Sequence, residues 1–169
     1  IAFLHSAFGP ADAVKMKECV RCITDKQDTL ENKLIALDNL ELLIESIDNA
    51  CDVEKLDLWN PLLSELKNEE LTCGILWVIG TAAQNNKIVQ DSLVKKYKVL
   101  PQIIELLHSN PSVCKKVLYA LSSLLCENED SKREFEVLNG LHHLKTCCGS
   151  ELFADRITFI MDTVLNKHE

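Results

Sequence analysis

The sequence predicts an all-α protein built from stacked helical repeats, and three observations support this prediction. Only five Gly and four Pro interrupt the 169 residues. Leu, Lys, Glu, Asp and Asn dominate, a composition that favours helices over sheets. One apolar pattern also recurs every 41 residues, as Trp59, Leu62 and Leu66, then Leu100, Ile103 and Leu107, then Leu141, Leu144 and Cys148. Such a period is typical of units that are too small to bury their apolar faces alone.

The helices follow one another at short intervals. Residues 1–11 form a lead-in that Gly9 and Pro10 interrupt, and the first helix begins at Asp12 as its cap. Thr29 and Asn32 stand in cap-like positions at the start of a long second helix, which the polar pair Asp48-Asn49 ends. In residue numbers, the predicted helices are 12–23, 29–46, 53–58, 61–67, 69–83, 88–95, 101–108, 111–126, 131–137, 141–148 and 151–165.

These helices group into units of a short, a medium and a long buried helix, which is the plan of an armadillo repeat. We therefore expect an armadillo-like superhelix of about four repeats, forming one domain over residues 12–169. The repeats are 12–50, 51–86, 87–128 and 129–169. The long helix 29–46 is apolar around most of its circumference, so we expect it to be buried on more than one side. Small residues such as Gly80 allow neighbouring long helices to approach closely.

Charge and cysteine content exclude several functions. The formal net charge is -8, and no basic cluster is dense enough to indicate nucleic-acid binding. No apolar run reaches the roughly 18 residues that a membrane span needs. The eight cysteines are dispersed, and several lie in apolar runs, as buried free thiols do in a reducing compartment. We expect a cytoplasmic monomer. The endoplasmic-reticulum lumen is the alternative, because the chain begins with Ile1 and a signal peptide stays possible.

The sequence contains no convincing catalytic, cofactor or metal site. Cys19 and Cys22 have metal or redox spacing, but their i, i+3 placement on an amphipathic helix favours core packing. The histidines, His142 and His143 among them, lie in no recognisable nucleophile context, and no Gly-rich loop resembles a phosphate cradle. We therefore expect a protein that is not an enzyme and holds no cofactor. A small enzyme that uses the two cysteines is the most remote alternative.

Polar residues recur where the long helices are predicted to end. The three groups are Asp48-Asn49-Ala50, Gln84-Asn85-Asn86 and Glu127-Asn128. One interpretation is helix C-capping, because Asn tolerates the left-handed conformation. The other is a ladder of amide donors and acceptors along a binding groove. Both interpretations stay open, and the candidate partner-binding residues among them are Asp48, Asn49, Ala50, Asn85, Asn86 and Asn128.

Several stretches resemble one protein family over most of residues 12–145. They are 31–45 (ENKLIALDNLELLIE), 47–50 (IDNA), 58–63 (LWNPLL), 79–86 (IGTAAQNN) and 116–125 (KVLYALSSLL). These blocks resemble the armadillo-type nucleotide exchange factors of the heat shock protein 70 (Hsp70) chaperones, and they are most similar to the cytosolic fungal-type members. The resemblance implies an adenyl-nucleotide exchange factor whose concave face grips the chaperone ATPase domain and promotes ADP release. A generic armadillo adaptor without exchange activity is the alternative.

The resemblance also implies roles for two residues. Ala50 stands where the family packs closely against the chaperone, so Ala50→Arg is expected to abolish exchange while leaving helicity unchanged. Arg156 resembles a family arginine on the last long helix, where it would pair with a chaperone carboxylate. The alternative for Arg156 is a solvated surface position, because most surface ion pairs contribute little.

Overall fold

The computed structural model describes residues 11–166, and every regular element among them is helical. None of these helices has the length and apolar character needed to cross a membrane. The elements are α1 Asp12–Thr24, α2 Leu30–Ile44, α3 Ile47–Lys55, α4 Trp59–Ser64, α5 Thr72–Ala83, α6 Lys87–Asp91, α7 Val99–Leu106, α8 Pro111–Leu125, α9 Glu129–Val137, α10 Gly140–Lys145 and α11 Ala154–Phe159. The π-helical turns Ser92–Lys96 and Ile160–Val164 extend α6 and α11.

The all-α, armadillo-like class is confirmed, because groups of three helices that end in a long helix recur along the chain. They are α3 to α5, α6 to α8, and α9 to α11, where the turn Ile160–Val164 lengthens α11. The division into one domain with repeat boundaries after residues 50, 86 and 128 stays a prediction. The predicted lead-in falls on residues 1–10, outside the described part of the chain, and on Ala11.

Polar side chains set the beginnings of several helices. Thr29 caps α2 as predicted, because its side chain accepts a hydrogen bond from the Asn32 N–H at 3.2 Å. Asn110 caps α8 in the same way through the Val113 N–H at 3.0 Å, and Pro111 follows at the first helical position. Asp12 is not a cap, since α1 begins after Ala11 and Asp12 is already its first residue.

The end of α2 differs from the prediction. The helix stops at Ile44, and Ser46 adopts an extended conformation that starts α3 at Ile47 instead of residue 53. Asp48 and Asn49 therefore lie in the first turn of α3 and do not terminate α2. A polar pair carries the same sequence signal at either end of a helix, and here the extended residue Ser46 decides which end it marks.

The described residues form two compact units, one reaching Val78 and the other beginning at Ile79. In the first unit α1 packs mainly on α2 and buries Met16, Val20 and Ile23. A Cβ on Gly74 would lie 2.7 Å from Leu37 Cδ1, so α5 and α2 are in close contact. Trp59 is fully buried and its indole Nε1 has no partner among the described residues, whereas Trp77 is exposed.

One expectation for the first unit is wrong. The helix α2 buries a single stripe, formed by Ala36, Leu37, Leu40 and Ile44. Its other apolar side chains are exposed, with Ile35 at 51% and Leu42 at 61% of their full accessibility. Apolar periodicity alone cannot distinguish a second packing partner from an apolar face that is exposed to solvent.

In the second unit the core is centred on α8, which contacts α7, α9, α6 and the turn Ile160–Val164. The predicted close approach at Gly80 is present, because a Cβ there would clash with the ring of Tyr119 on α8. Gly140 has the same role at the start of α10. A Cβ on it would lie 2.5 Å from three ring atoms of Phe135, whose side chain is fully buried.

We predict that Gly140→Ala destabilises the protein by about 1–3 kcal/mol, because the added methyl group overpacks a site where Phe135 has no room to move. Urea unfolding followed by circular dichroism measures this loss. Val137→Ala, at an exposed position three residues earlier, is the control and should stay within about 0.5 kcal/mol of the parent. Equal stability of both variants would contradict the close packing at Gly140.

Candidate partner-binding surface

The recurring asparagines of the second unit are caps, in part at the opposite end of the helix from the one predicted. Asn85 is exposed and left-handed with a φ of 52°, as the C-capping interpretation predicts. Asn86 and Asn128 instead cap the beginnings of the next helices, α6 and α9. Their exposed fractions are only 5% and 0%. Neither side chain lies on the surface of the described residues, so the amide ladder does not extend to them.

Asn128 is the centre of a buried polar network. Its Oδ1 accepts from the Ser131 N–H at 3.1 Å, and its Nδ2 donates to Gln90 Oε1 and Asp91 Oδ1, both at 3.0 Å. Gln90 Nε2 in turn donates to the carbonyl oxygens of Ala83, Ser123 and Cys126 at 2.8–3.2 Å. One amide pair thus joins α6 and α9 to the C-terminal ends of α5 and α8.

The group Asp48-Asn49-Ala50 faces two directions. Asp48 is exposed, while Asn49 Nδ2 donates to the Leu43 carbonyl at 2.8 Å and to Asp12 Oδ2 at 2.9 Å. The hydrogen bond from Asn49 lowers the pKa of Asp12, with smaller contributions from Lys15. Asn49 therefore connects α3 to α2 and α1.

Ala50 belongs to the core, at 2% exposure. Counting from the N-caps Ser46, Asn86 and Asn128, it occupies the same position in its helix as Gln90 and Lys132, which are also buried. This burial argues against the expectation that a large side chain at Ala50 would leave the fold intact, which stays a prediction. The sequence pattern does not reveal the burial of Ala50, because it predicts Ala50 at the end of α2 and not in the second turn of α3.

Arg156 lies on the exposed face that α11 and α8 share in the second unit. Its Nη2 donates to Ser122 Oγ at 3.4 Å, and its guanidinium lies over the Phe159 ring at 5.5 Å from the centroid. On the same side of α8, the Tyr119 hydroxyl contacts Thr81 Oγ1 at 3.0 Å. We call Thr81, Tyr119, Ser122, Arg156 and Phe159 the long-helix surface. Of these five residues, only Arg156 is a contact residue that the sequence analysis predicts.

A second exposed region lies in the first unit, where α1 and α2 border an open groove of about 570 Å³. Ile35 and Leu42 contribute exposed apolar surface to it, and Lys15 and Glu18 line its α1 side. Sequence reasoning missed this region because it assigned these apolar residues to the core.

The cysteines of the groove are poorly suited to redox or metal chemistry. Burial, with the nearby Glu18 charge, raises the pKa of Cys19. Burial and a hydrogen bond from Cys22 Sγ to Asp28 Oδ2 at 3.2 Å raise the pKa of Cys22. A thiol with a raised pKa is a poor nucleophile and a poor metal ligand at neutral pH. Within residues 11–166 no three His, Cys, Asp or Glu side chains converge as a metal site.

Helix order, capping and packing together define an armadillo-like helical-repeat protein with exposed faces on its long helices. The family model described as nucleotide exchange factor Fes1 matches residues 1–53. The protein named "Hsp70 nucleotide exchange factor FES1" of Saccharomyces cerevisiae is 42% identical over 144 residues, which cover 82% of this chain and 50% of that protein. The protein of the same name from Coccidioides immitis is 41% identical over 165 residues, covering 94% and 74%. The Kluyveromyces lactis protein is 37% identical over 166 residues, covering 93% and 57%.

The chain therefore belongs to the Fes1 family of nucleotide exchange factors, which confirms the resemblance seen in the sequence. It spans about half the length of the first of these relatives and three quarters of the second.

We predict that Asn128→Ala destabilises the protein by about 2–4 kcal/mol. The variant removes the cap of α9 and leaves Gln90 Oε1 buried without its donor. Urea unfolding measures the effect. Asn85→Gly is the matched control, because glycine adopts the left-handed conformation readily and Asn85 is exposed, so it should change stability by less than about 0.5 kcal/mol.

We predict that Ala50→Arg lowers the free energy of unfolding by about 3 kcal/mol or more, because the variant buries an unpaired charge. Thermal unfolding followed by circular dichroism tests this. Asp48→Ala, two residues earlier and exposed, should cost no more than about 1 kcal/mol through the lost helix-dipole interaction. An Ala50→Arg variant that is as stable as the parent would restore Ala50 as a candidate contact residue.

Proposed function

We propose that this chain is a nucleotide exchange factor that binds the ATPase domain of an Hsp70 chaperone and promotes the release of ADP. The observation that supports this most is its 41% identity over 165 residues to a protein named as an Hsp70 nucleotide exchange factor. The exposed aromatic and cationic side chains of the long-helix surface also support it, because aromatic residues and arginine are enriched in protein–protein interfaces.

The proposed activity is a binding activity and makes or breaks no covalent bond. The factor must bind the chaperone with an open nucleotide cleft more tightly than the chaperone with a closed cleft, since equal affinity would leave the equilibrium unchanged. We therefore propose that the protein is not an enzyme and needs no cofactor. We also propose that it works as a monomer in the cytoplasm, with no need of nucleic acid or a membrane.

The candidate contact residues differ in how exposed their side chains are. Arg156 is the first candidate, because its guanidinium is exposed and Ser122 and Phe159 already hold it in place. Asp48 and Asn85 are exposed candidates, and Asn49 is half-buried. Ala50, Asn86 and Asn128 are buried, so any contribution they make to binding is through the position of neighbouring surfaces.

The test of the proposal is the release of labelled ADP from an Hsp70 ATPase domain, with and without this chain. We expect the release rate to rise with the concentration of the chain and then to saturate. Binding to the ATPase domain without acceleration would leave an adaptor function instead. Neither binding nor acceleration by the folded chain would contradict the proposal.

We predict that Arg156→Glu lowers the exchange rate about ten-fold or more at subsaturating concentration, because a charge-assisted contact is replaced by repulsion from the same partner group. Arg21→Glu on α1 makes the same charge change at another exposed arginine and is the matched control. Circular dichroism should show both variants folded. If the two variants exchange nucleotide equally well, Arg156 does not lie in the interface.

A further inference from the structure

Two histidines of the second unit, one after the end of α7 and one in α10, meet at the surface. His108 follows the C-terminal end of α7, and His143 lies in α10. His108 Nε2 and His143 Nδ1 are 2.9 Å apart, and the ring centroids are separated by 5.2 Å in an edge-to-face arrangement. His142 is the preceding residue in α10, with its ring centroid 5.9 Å from that of His143.

The surrounding core fixes the backbone segments that carry both rings. Each of these histidines is adjacent in sequence to a fully buried leucine, Leu107 for His108 and Leu144 for His143. The Cys148 N–H donates to the Leu107 carbonyl at 2.9 Å, which fastens the segment after α10 to the end of α7. The two imidazoles are thus held together by the fold before any ligand arrives, and this lowers the cost of ordering them around one.

We propose that His108 and His143 form a two-imidazole chelate for a divalent late first-row transition-metal ion, of which Ni²⁺ and Cu²⁺ are the best matches. Imidazole nitrogen is a good ligand for these ions. Two nitrogens bound at about 2.0–2.1 Å and subtending a right angle lie about 2.9 Å apart, whereas a tetrahedral ion needs about 3.3–3.4 Å. The observed 2.9 Å therefore fits two neighbouring positions of a square-planar or octahedral ion better than tetrahedral zinc.

Binding requires a change of tautomer and a rotation of the rings that turns the two facing nitrogens toward the ion, with no net loss of protons. In the metal-free pair one imidazole donates its N–H to the bare nitrogen of the other. When the metal binds, that proton moves to the far nitrogen of the donor ring. His108 then carries its proton on Nδ1 and His143 on Nε2, and the two facing nitrogens both donate lone pairs to the ion.

The coordination sphere is completed from outside the pair. No group of three or more His, Cys, Asp or Glu side chains forms a metal site in the part of the chain that the structure describes. Water or an external ligand therefore occupies the remaining positions, and the ion exchanges readily. While bound, it links α7 to α10, which already pack against each other.

The experiment is a titration of the ¹⁵N-labelled full chain with Ni²⁺ under reducing conditions, since Ni²⁺ does not oxidise the free thiols as Cu²⁺ does. We expect paramagnetic broadening centred on the amides around His108 and His143, and a melting temperature that rises with the Ni²⁺ concentration. His108→Gln and His143→Gln should each abolish both effects. Both side chains are at least partly exposed, so these variants should fold.

His142→Gln is the matched control, because it removes a neighbouring imidazole that is not part of the 2.9 Å contact. It should keep the broadening and the rise in melting temperature. The proposal is overturned if His142→Gln loses both effects while His143→Gln keeps them. Broadening centred on Cys19 and Cys22, or unchanged broadening in the His108→Gln/His143→Gln double variant, would also overturn it.

Discussion

The buried amide pair Gln90–Asn128 is the contact on which the second unit depends. Helix ends leave carbonyl and N–H groups unpaired, and a stack of short helices brings many such ends into its interior. Gln90 pairs with three of these carbonyls, and Asn128 pairs with an N–H of α9 and with Gln90 itself. These two side chains supply hydrogen bonds that apolar side chains cannot, and such bonds are needed because an unpaired buried carbonyl is costly wherever it lies.

This constraint explains why the most regular polar signal in the sequence does not by itself show which helix end it marks. Asn recurs at the junction between a long helix and the next short helix, and a surface ladder and a buried cap require the same residue at the same spacing. Asn85 and Asn86 illustrate both outcomes in adjacent positions, because one is exposed and left-handed while the other is buried and caps α6. The two outcomes differ only in the local backbone conformation and not in the residue type.

The fold itself was largely predictable. Seven of the nine apolar positions of the 41-residue pattern, such as Trp59, Leu100 and Leu144, are fully buried, and Leu141 and Cys148 are half-buried. The long helices begin and end close to the predicted residues. The candidate surface was less predictable. Ile35 and Leu42 carry the same apolar signal as a core residue, and the contact of Arg156 with Ser122 joins residues 34 positions apart. Such contacts depend on how helices pack, and periodicity within one helix does not encode that.

The contrast between the two tryptophans has a spectroscopic consequence. Trp59 is fully buried, and its indole nitrogen has no hydrogen-bond partner within residues 11–166, while Trp77 is exposed on α5. The sequence contains no other tryptophan. The tryptophan fluorescence of the protein is therefore the sum of a blue-shifted emission from a dry environment and a red-shifted emission that aqueous quenchers reach. A soluble quencher separates the two emissions without any label, so one chromophore reports on the interior of the first unit and the other on its surface.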